Sequence, residues 1–224
     1  MLKIDHLINQ IKNSKLLKNQ RNPGIDIIRL IGMYLIVFHH FISFGRLLSK
    51  YPIFKKEILF VESFINWHNN SFALISGIVG YKKSRYSNLL YLWFTVFFYS
   101  VGIYLYVGIF NKNYIKTRNF TAYFFPIIYK RYWYFTAYFG MYLFLPIINS
   151  GISCLNKKEL KIIVSITLGI FVIWKDFNNP NDDVFNFNSG HSTIWLLTFY
   201  LTGAYIGKYK VYYSGSKKFI ILFS

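Results

Sequence analysis

Cysteine and acidic residues are scarce in this 224-residue chain. Cys154 is the one cysteine, so an intrachain disulfide is excluded. Only 15% of the residues are charged, whereas soluble domains carry about 25%. The sequence also lacks a glycine-rich phosphate loop, a cluster at metal-ligand spacing and a Gly-x-Ser-x-Gly nucleophile elbow. We therefore expect neither a metal site nor soluble nucleotide chemistry.

Apolar and aromatic residues dominate what is present. The chain is 54% hydrophobic, and it contains 24 phenylalanines and 20 tyrosines. The net charge of +18 comes from lysines and arginines that lie mostly between long apolar runs. In such places positive charge sets membrane topology and meets anionic lipid head groups. The expected partner is therefore the lipid bilayer, and no nucleic acid is expected.

The apolar runs recur at lengths that suit membrane crossing. They predict an all-α, polytopic bundle of six complete transmembrane helices and the start of a seventh, near residues 25–44, 63–81, 89–110, 132–148, 160–174, 193–206 and 219–224. We interpret Pro146 as the end of the fourth helix, because proline disrupts helix continuation. The chain stops six residues into the last run, so we expect it to be truncated at its C-terminus.

Residues 1–21 are basic, rich in asparagine and too interrupted in hydrophobicity for a cleavable signal peptide. We expect a basic cytoplasmic tail, either a short helix on the membrane surface or a disordered segment. Sixteen of the 26 lysines and arginines fall on the side of the N-terminus. The positive-inside rule then predicts that the N-terminus is inside. We expect a multi-pass protein of the plasma membrane.

The first apolar segment carries three polar residues, Asp26, Arg29 and His40. Eleven residues at about 100° each make three turns plus roughly 20°, so Arg29 and His40 share one stripe of the helix about 16 Å apart. Asp26 precedes Arg29 by one turn. Such residues are costly in hydrocarbon and mark functional paths by default. We therefore expect Arg29 and His40 to face the same protein interior.

His40 is the candidate catalytic residue, because imidazole can act near neutral pH as a general base or acyl carrier. The alternative is a histidine that holds helices together by hydrogen bonding. His39 points about 100° away and is expected to be structural or at the edge of the cavity. Glu62 and His68, near the outer end of the second segment, are interpreted as facing water.

Arg29 is the candidate donor-binding residue, since guanidinium groups bind phosphates well. The alternatives are an ion pair with Asp26 or a charge that only sets topology. Asp26 is expected to support and orient Arg29. In the second segment, Ser76 and Gly77 are small residues that let helices approach closely.

Taken together, these segments resemble the acyltransferase 3 family over about residues 22–212. The resemblance rests on Ile25, Asp26, Arg29 and His40 in the first segment and on the Phe-x-x-x-Ser-Gly stretch at residues 72–77. It also rests on Trp133-Tyr134 leading to Leu145-Pro146, and on the Tyr-Leu-Thr-Gly-Ala-Tyr-Ile run at residues 200–206. Residues 22–224 would be the N-terminal portion of such a transmembrane domain.

The resemblance implies about ten helices, an acyl-coenzyme A donor on the cytoplasmic side and an acceptor on the other face. By that resemblance His40 is the essential histidine and Arg29 the essential arginine. The expected activity is transfer of an acyl group, acetyl from acetyl-CoA being favoured, to a hydroxyl of a cell-surface polysaccharide or its precursor. No bound cofactor is expected. The alternatives are a transporter or export component with the polar stripe lining its path, and an inactive fragment.

Overall fold

The computed structural model describes residues 22–82, 86–113, 119–174 and 190–211, and each regular element within these ranges is helical. The predicted all-α class is therefore confirmed for this part of the chain. The tail expected at residues 1–21 and the apolar run at 219–224 lie outside the described residues.

The described residues form α-helices that we number in chain order. Their bounds are Pro23–Phe44 (α1), Leu47–Lys50 (α2), Lys55–Ile65 (α3), Trp67–Gly80 (α4), Tyr86–Phe110 (α5), Thr121–Phe124 (α6), Trp133–Cys154 (α7), Lys157–Leu168 (α8) and Thr193–Tyr209 (α9). A 3₁₀ turn at Pro52–Phe54 precedes α3, and a π-helical turn at Gly169–Trp174 extends α8. Each of the six predicted segments thus contains helix.

The start of α1 follows from the Asn22-Pro23 pair. Asn22 Oδ1 accepts hydrogen bonds from the backbone N–H groups of Gly24 at 2.9 Å and Ile25 at 3.4 Å. Pro23 lies in the first turn, where its missing N–H costs nothing and its fixed φ suits the helix. The helix therefore begins two residues before the predicted start and ends, as predicted, at Phe44.

Three helices within the described ranges, α1, α5 and α7, are long and apolar enough to cross a membrane. The predicted count of six complete spans is not confirmed. The second segment is interrupted at Asn66, so α4 has only 14 residues, or about 21 Å at 1.5 Å per residue. A hydrocarbon core is about 30 Å thick. With 17 residues, α9 is also shorter than a typical span.

Pro146 does not end the fourth helix, which contradicts our interpretation. It lies inside α7, and the helix continues for two more turns to Cys154. Proline removes one hydrogen bond, a loss that neighbouring helices and local adjustment can offset in apolar surroundings. The additional turns reach Lys208 of α9, whose Nζ donates to the carbonyls of Ile152 at 2.6 Å and Leu155 at 2.7 Å. This contact joins the ends of α7 and α9.

Glycines let α4 and α9 pack backbone against backbone. A Cβ added at Gly77 of α4 would overlap the carbonyl oxygen of Tyr200. One added at Gly203 of α9 would overlap the carbonyl oxygen of Leu74. The two helices are parallel, because Asn70 bonds to Trp195 near their starts and Tyr81 bonds to Gly207 near their ends. The prediction that Gly77 serves close helix approach is confirmed.

We expect Gly203→Ala to push α9 away from α4 and to lower the yield of folded protein. The added methyl group would meet a backbone carbonyl that cannot rotate away, and overpacking typically costs about 1–3 kcal/mol. Gly102→Ala on α5 is the matched control, because its added Cβ meets nothing within 4 Å. Detergent extraction followed by size-exclusion chromatography measures the folded fraction. Equal recovery of the two variants would contradict the prediction.

Candidate active site

A cavity of 730 Å³ lies among α1, α4, α5, α7 and α9, and Arg29 of α1 lines it. Its wall includes a set of tyrosines: Tyr91, Tyr134, Tyr138, Tyr142 and Tyr200. Small-molecule sites typically measure about 300–1,000 Å³ and combine apolar or aromatic walls with a few polar groups. The cavity therefore has the size and lining of a ligand site.

Hydroxyl groups from three helices are placed in this tyrosine cavity. The Ser76 hydroxyl lies 3.3 Å from that of Tyr138, and Tyr200 donates to Asn149 Oδ1 at 2.8 Å. The hydroxyl of Tyr134 is buried and has no hydrogen-bond partner among the described residues. Buried polar groups are normally satisfied, so this hydroxyl is suited to donate to a bound molecule.

Arg29 pairs with Asp26 in the structure. A guanidinium nitrogen lies 3.5 Å from Asp26 Oδ1, and the two side chains are 41% and 27% exposed. Ion pairs with this much exposure contribute only about 0–1 kcal/mol. Asp26 can therefore orient the guanidinium without locking it. The donor-binding role of Arg29 stays a prediction.

His40 lies about three turns beyond Arg29 along α1 and does not line the tyrosine cavity. Its side chain is exposed, and its ring stacks on Phe44 at a centroid distance of 5.2 Å. The described residues do not enclose His40, so the expectation that Arg29 and His40 face the same protein interior stays a prediction. Consecutive helical residues point about 100° apart, and at this end of α1 it is His39 that faces α3 and α4. The catalytic role of His40 stays a prediction.

His39 lies at the centre of a polar cluster that sequence analysis did not anticipate. Its ring centroid is 5.8 Å from that of His40 and 5.6 Å from that of His68. Its Nδ1 lies 3.7 Å from Glu62 Oε1. We call these four residues the histidine cluster.

The interpretation of Glu62 and His68 as water-facing residues is wrong. His68 is 1% exposed and the side chain of Glu62 is 19% exposed. His68 is buried and Glu62 half-buried because α1 and α4 run antiparallel, which brings the start of α4 and the end of α3 beside the end of α1. The sequence did contain a signal for this contact. Glu62 and His68 lie near the start of the second segment, and His39 and His40 lie near the end of the first. These two ends are neighbours when the segments form a helical hairpin.

Phe72 lies between the tyrosine cavity and the histidine cluster. Its ring lines the cavity and packs against α1 at Gly32, where an added Cβ would come 3.0 Å from Phe72 Cε2. His68 precedes Phe72 by four residues, about 6 Å along the axis of α4. Cavity and cluster are therefore consecutive along one pair of helices.

A family model described as an acyltransferase domain matches residues 22–224. The chain belongs to the acyltransferase 3 family. Membership and the apolar helices together support an acyltransferase-type function in a membrane protein. No curated protein and no solved structure shows significant similarity to the chain.

The histidine cluster of this acyltransferase does not have the arrangement of a metal centre. Among the described residues, no group of three or more histidine, cysteine, aspartate or glutamate side chains could hold a metal ion. The exposed Cys154 belongs to no such group either.

Proposed function

We propose that this membrane acyltransferase transfers an acyl group, with acetyl expected, from acyl-coenzyme A to a hydroxyl of a cell-surface polysaccharide or its lipid-linked precursor. The observation that carries the proposal is the tyrosine cavity, one wall of which is formed by Arg29. The histidine cluster is the next site along α4. Family membership supports the reaction class.

The proposal gives the two ends of α1 different tasks. Arg29 would contact phosphate oxygens of the donor, for which a planar guanidinium offers paired hydrogen bonds. The tyrosine cavity would hold the acyl-bearing part of the donor. His40 would take the proton from the acceptor hydroxyl, and its exposure leaves it accessible to a large carbohydrate.

We further propose that the chain crosses the plasma membrane several times with its N-terminus in the cytoplasm. The distribution of lysine and arginine supports this orientation, since sixteen of 26 lie on the side of the N-terminus. In that orientation Arg29 is near the cytoplasmic face, where acyl-coenzyme A is supplied. The bilayer and the carbohydrate are then the partners of the protein.

Surface polysaccharide from three strains tests the proposed function: one with the intact gene, one lacking it and one carrying His40→Ala. Mass spectrometry of the purified glycan counts base-labile acyl groups per repeat unit. We expect these groups only with the intact gene. Identical acylation in the three strains would refute the proposal. Less polysaccharide with unchanged acylation would instead indicate export.

A further inference from the structure

The histidine cluster contains three residues, Glu62, His39 and His68, to which the proposed function assigns no task. Glu62 is contributed by α3 and His39 by α1, and the separation of 3.7 Å between Oε1 and Nδ1 is an ion-pair distance. Nδ1 of His39 is buried and makes no hydrogen bond within the described structure. A carboxylate and an imidazole that are both largely withdrawn from water are costly unless they serve each other.

His68 closes the other side of the cluster. Its Nδ1 lies 2.7 Å from the carbonyl oxygen of Ile65 and must donate, because a carbonyl can only accept. In the neutral ring this leaves Nε2 as a proton acceptor. The His68 ring thus has a fixed orientation beside His39, and Glu62 is the carboxylate that the structure pairs with His39.

We propose that Glu62 is a positioning residue that orients His39 and stabilises the positive charge which the His39–His40 pair acquires during acyl transfer. The inference rests on the proposed function and deepens it. A carboxylate that fixes an imidazole and stabilises its protonated form is an established way to strengthen a histidine base. In this role Glu62 touches neither substrate.

Transfer of the acyl group to the acceptor hydroxyl needs no reactant besides the donor and the acceptor. The acceptor hydroxyl loses its proton to the His39–His40 pair while its oxygen bonds to the acyl carbon of the donor. The carbon–sulfur bond breaks, and the coenzyme A thiolate leaves with the electron pair. The proton held by the histidines then passes to the thiolate, which restores neutral imidazole and gives free coenzyme A.

Glu62→Gln in the complete protein, assayed in membranes, tests the inference. We expect kcat for transfer from acetyl-CoA to fall about 10- to 100-fold per folded molecule, with the donor KM changed less than about twofold. The solvent deuterium isotope effect on kcat should rise, because proton transfer becomes slower. Glu62→Asp should restore part of kcat. Glu57→Gln, on the exposed side of the same helix, is the matched control and should behave like the parent.

A double-mutant cycle separates positioning from folding. In the His39→Ala background, Glu62→Gln should cost little more, because the group that it orients is already absent. Unchanged kcat in Glu62→Gln would overturn the inference. Full additivity of the two substitutions would also overturn it, and so would a loss of total activity that is proportional to the loss of folded protein. A parent protein with no acyl transfer would overturn the proposed function and the inference with it, whereas an active parent with an unaffected Glu62→Gln variant overturns the inference alone.

Discussion

Replacement of His40 by alanine is expected to lower acyl transfer by about 100- to 10,000-fold, the range that general acid–base groups supply. The imidazole is exposed and its described ring contacts are the stack on Phe44 and the neighbouring His39, so its removal creates no buried cavity. Membrane insertion and the folded yield should therefore match those of the parent. A catalytic role predicts this separation of activity from folding.

A structural His40 would give the opposite pattern. If the imidazole served only to join helices, His40→Ala would lower the folded yield, and the molecules that remained would transfer acyl groups at the parental rate. The measurement is the initial rate with acetyl-CoA divided by the amount of folded protein after size-exclusion chromatography. His39→Ala should give a smaller loss than His40→Ala. Parental activity in His40→Ala would refute the assignment.

Local signals explain which helix boundaries could be predicted. The bounds of α1 came within two residues because a long apolar run marks the helix, and the two residues that were missed belong to the first turn, which Asn22 caps and Pro23 begins. The fourth helix was ended too early because Pro146 is a helix breaker in water but is tolerated inside α7. The break at Asn66 has no such marker, since its backbone keeps helical dihedral angles.

The contacts of the candidate site could also be predicted only in part. Helical periodicity correctly suggested that Asp26 and Arg29 would meet, because residues three apart are neighbours on one helix. It could not show that Glu62 and His68 would surround His39, because that contact depends on how α1 packs against other helices. Periodicity also cannot say which face of α1 is covered at each end. That is why the exposure of His40 was not foreseen.

Arg29→Gln is expected to lower kcat/KM for the acyl-coenzyme A donor by about 10- to 150-fold. Hydrogen bonds to charged groups contribute about 1.5–3 kcal/mol, and each 1.4 kcal/mol is a factor of ten. Glutamine removes both the charge and the paired donors. Arg29→Lys keeps the charge but loses the planar pair of N–H groups that matches phosphate, so we expect an intermediate loss near tenfold. Because Arg29 lines the tyrosine cavity, the acceptor KM should change little.

Donor titration of the two Arg29 variants distinguishes phosphate binding from a charge that only sets topology. If Arg29 only sets topology, Arg29→Lys should have the same kinetic constants for the donor as the parent, because any cation serves the positive-inside rule. Arg46→Lys is the matched control, since this arginine is exposed and lies beyond the far end of α1. We expect parental donor kinetics for Arg46→Lys and weakened donor use for Arg29→Lys. Parental kinetics in both Arg29→Lys and Arg46→Lys would show that Arg29 serves only as a positive charge. That result would refute the donor site in the tyrosine cavity.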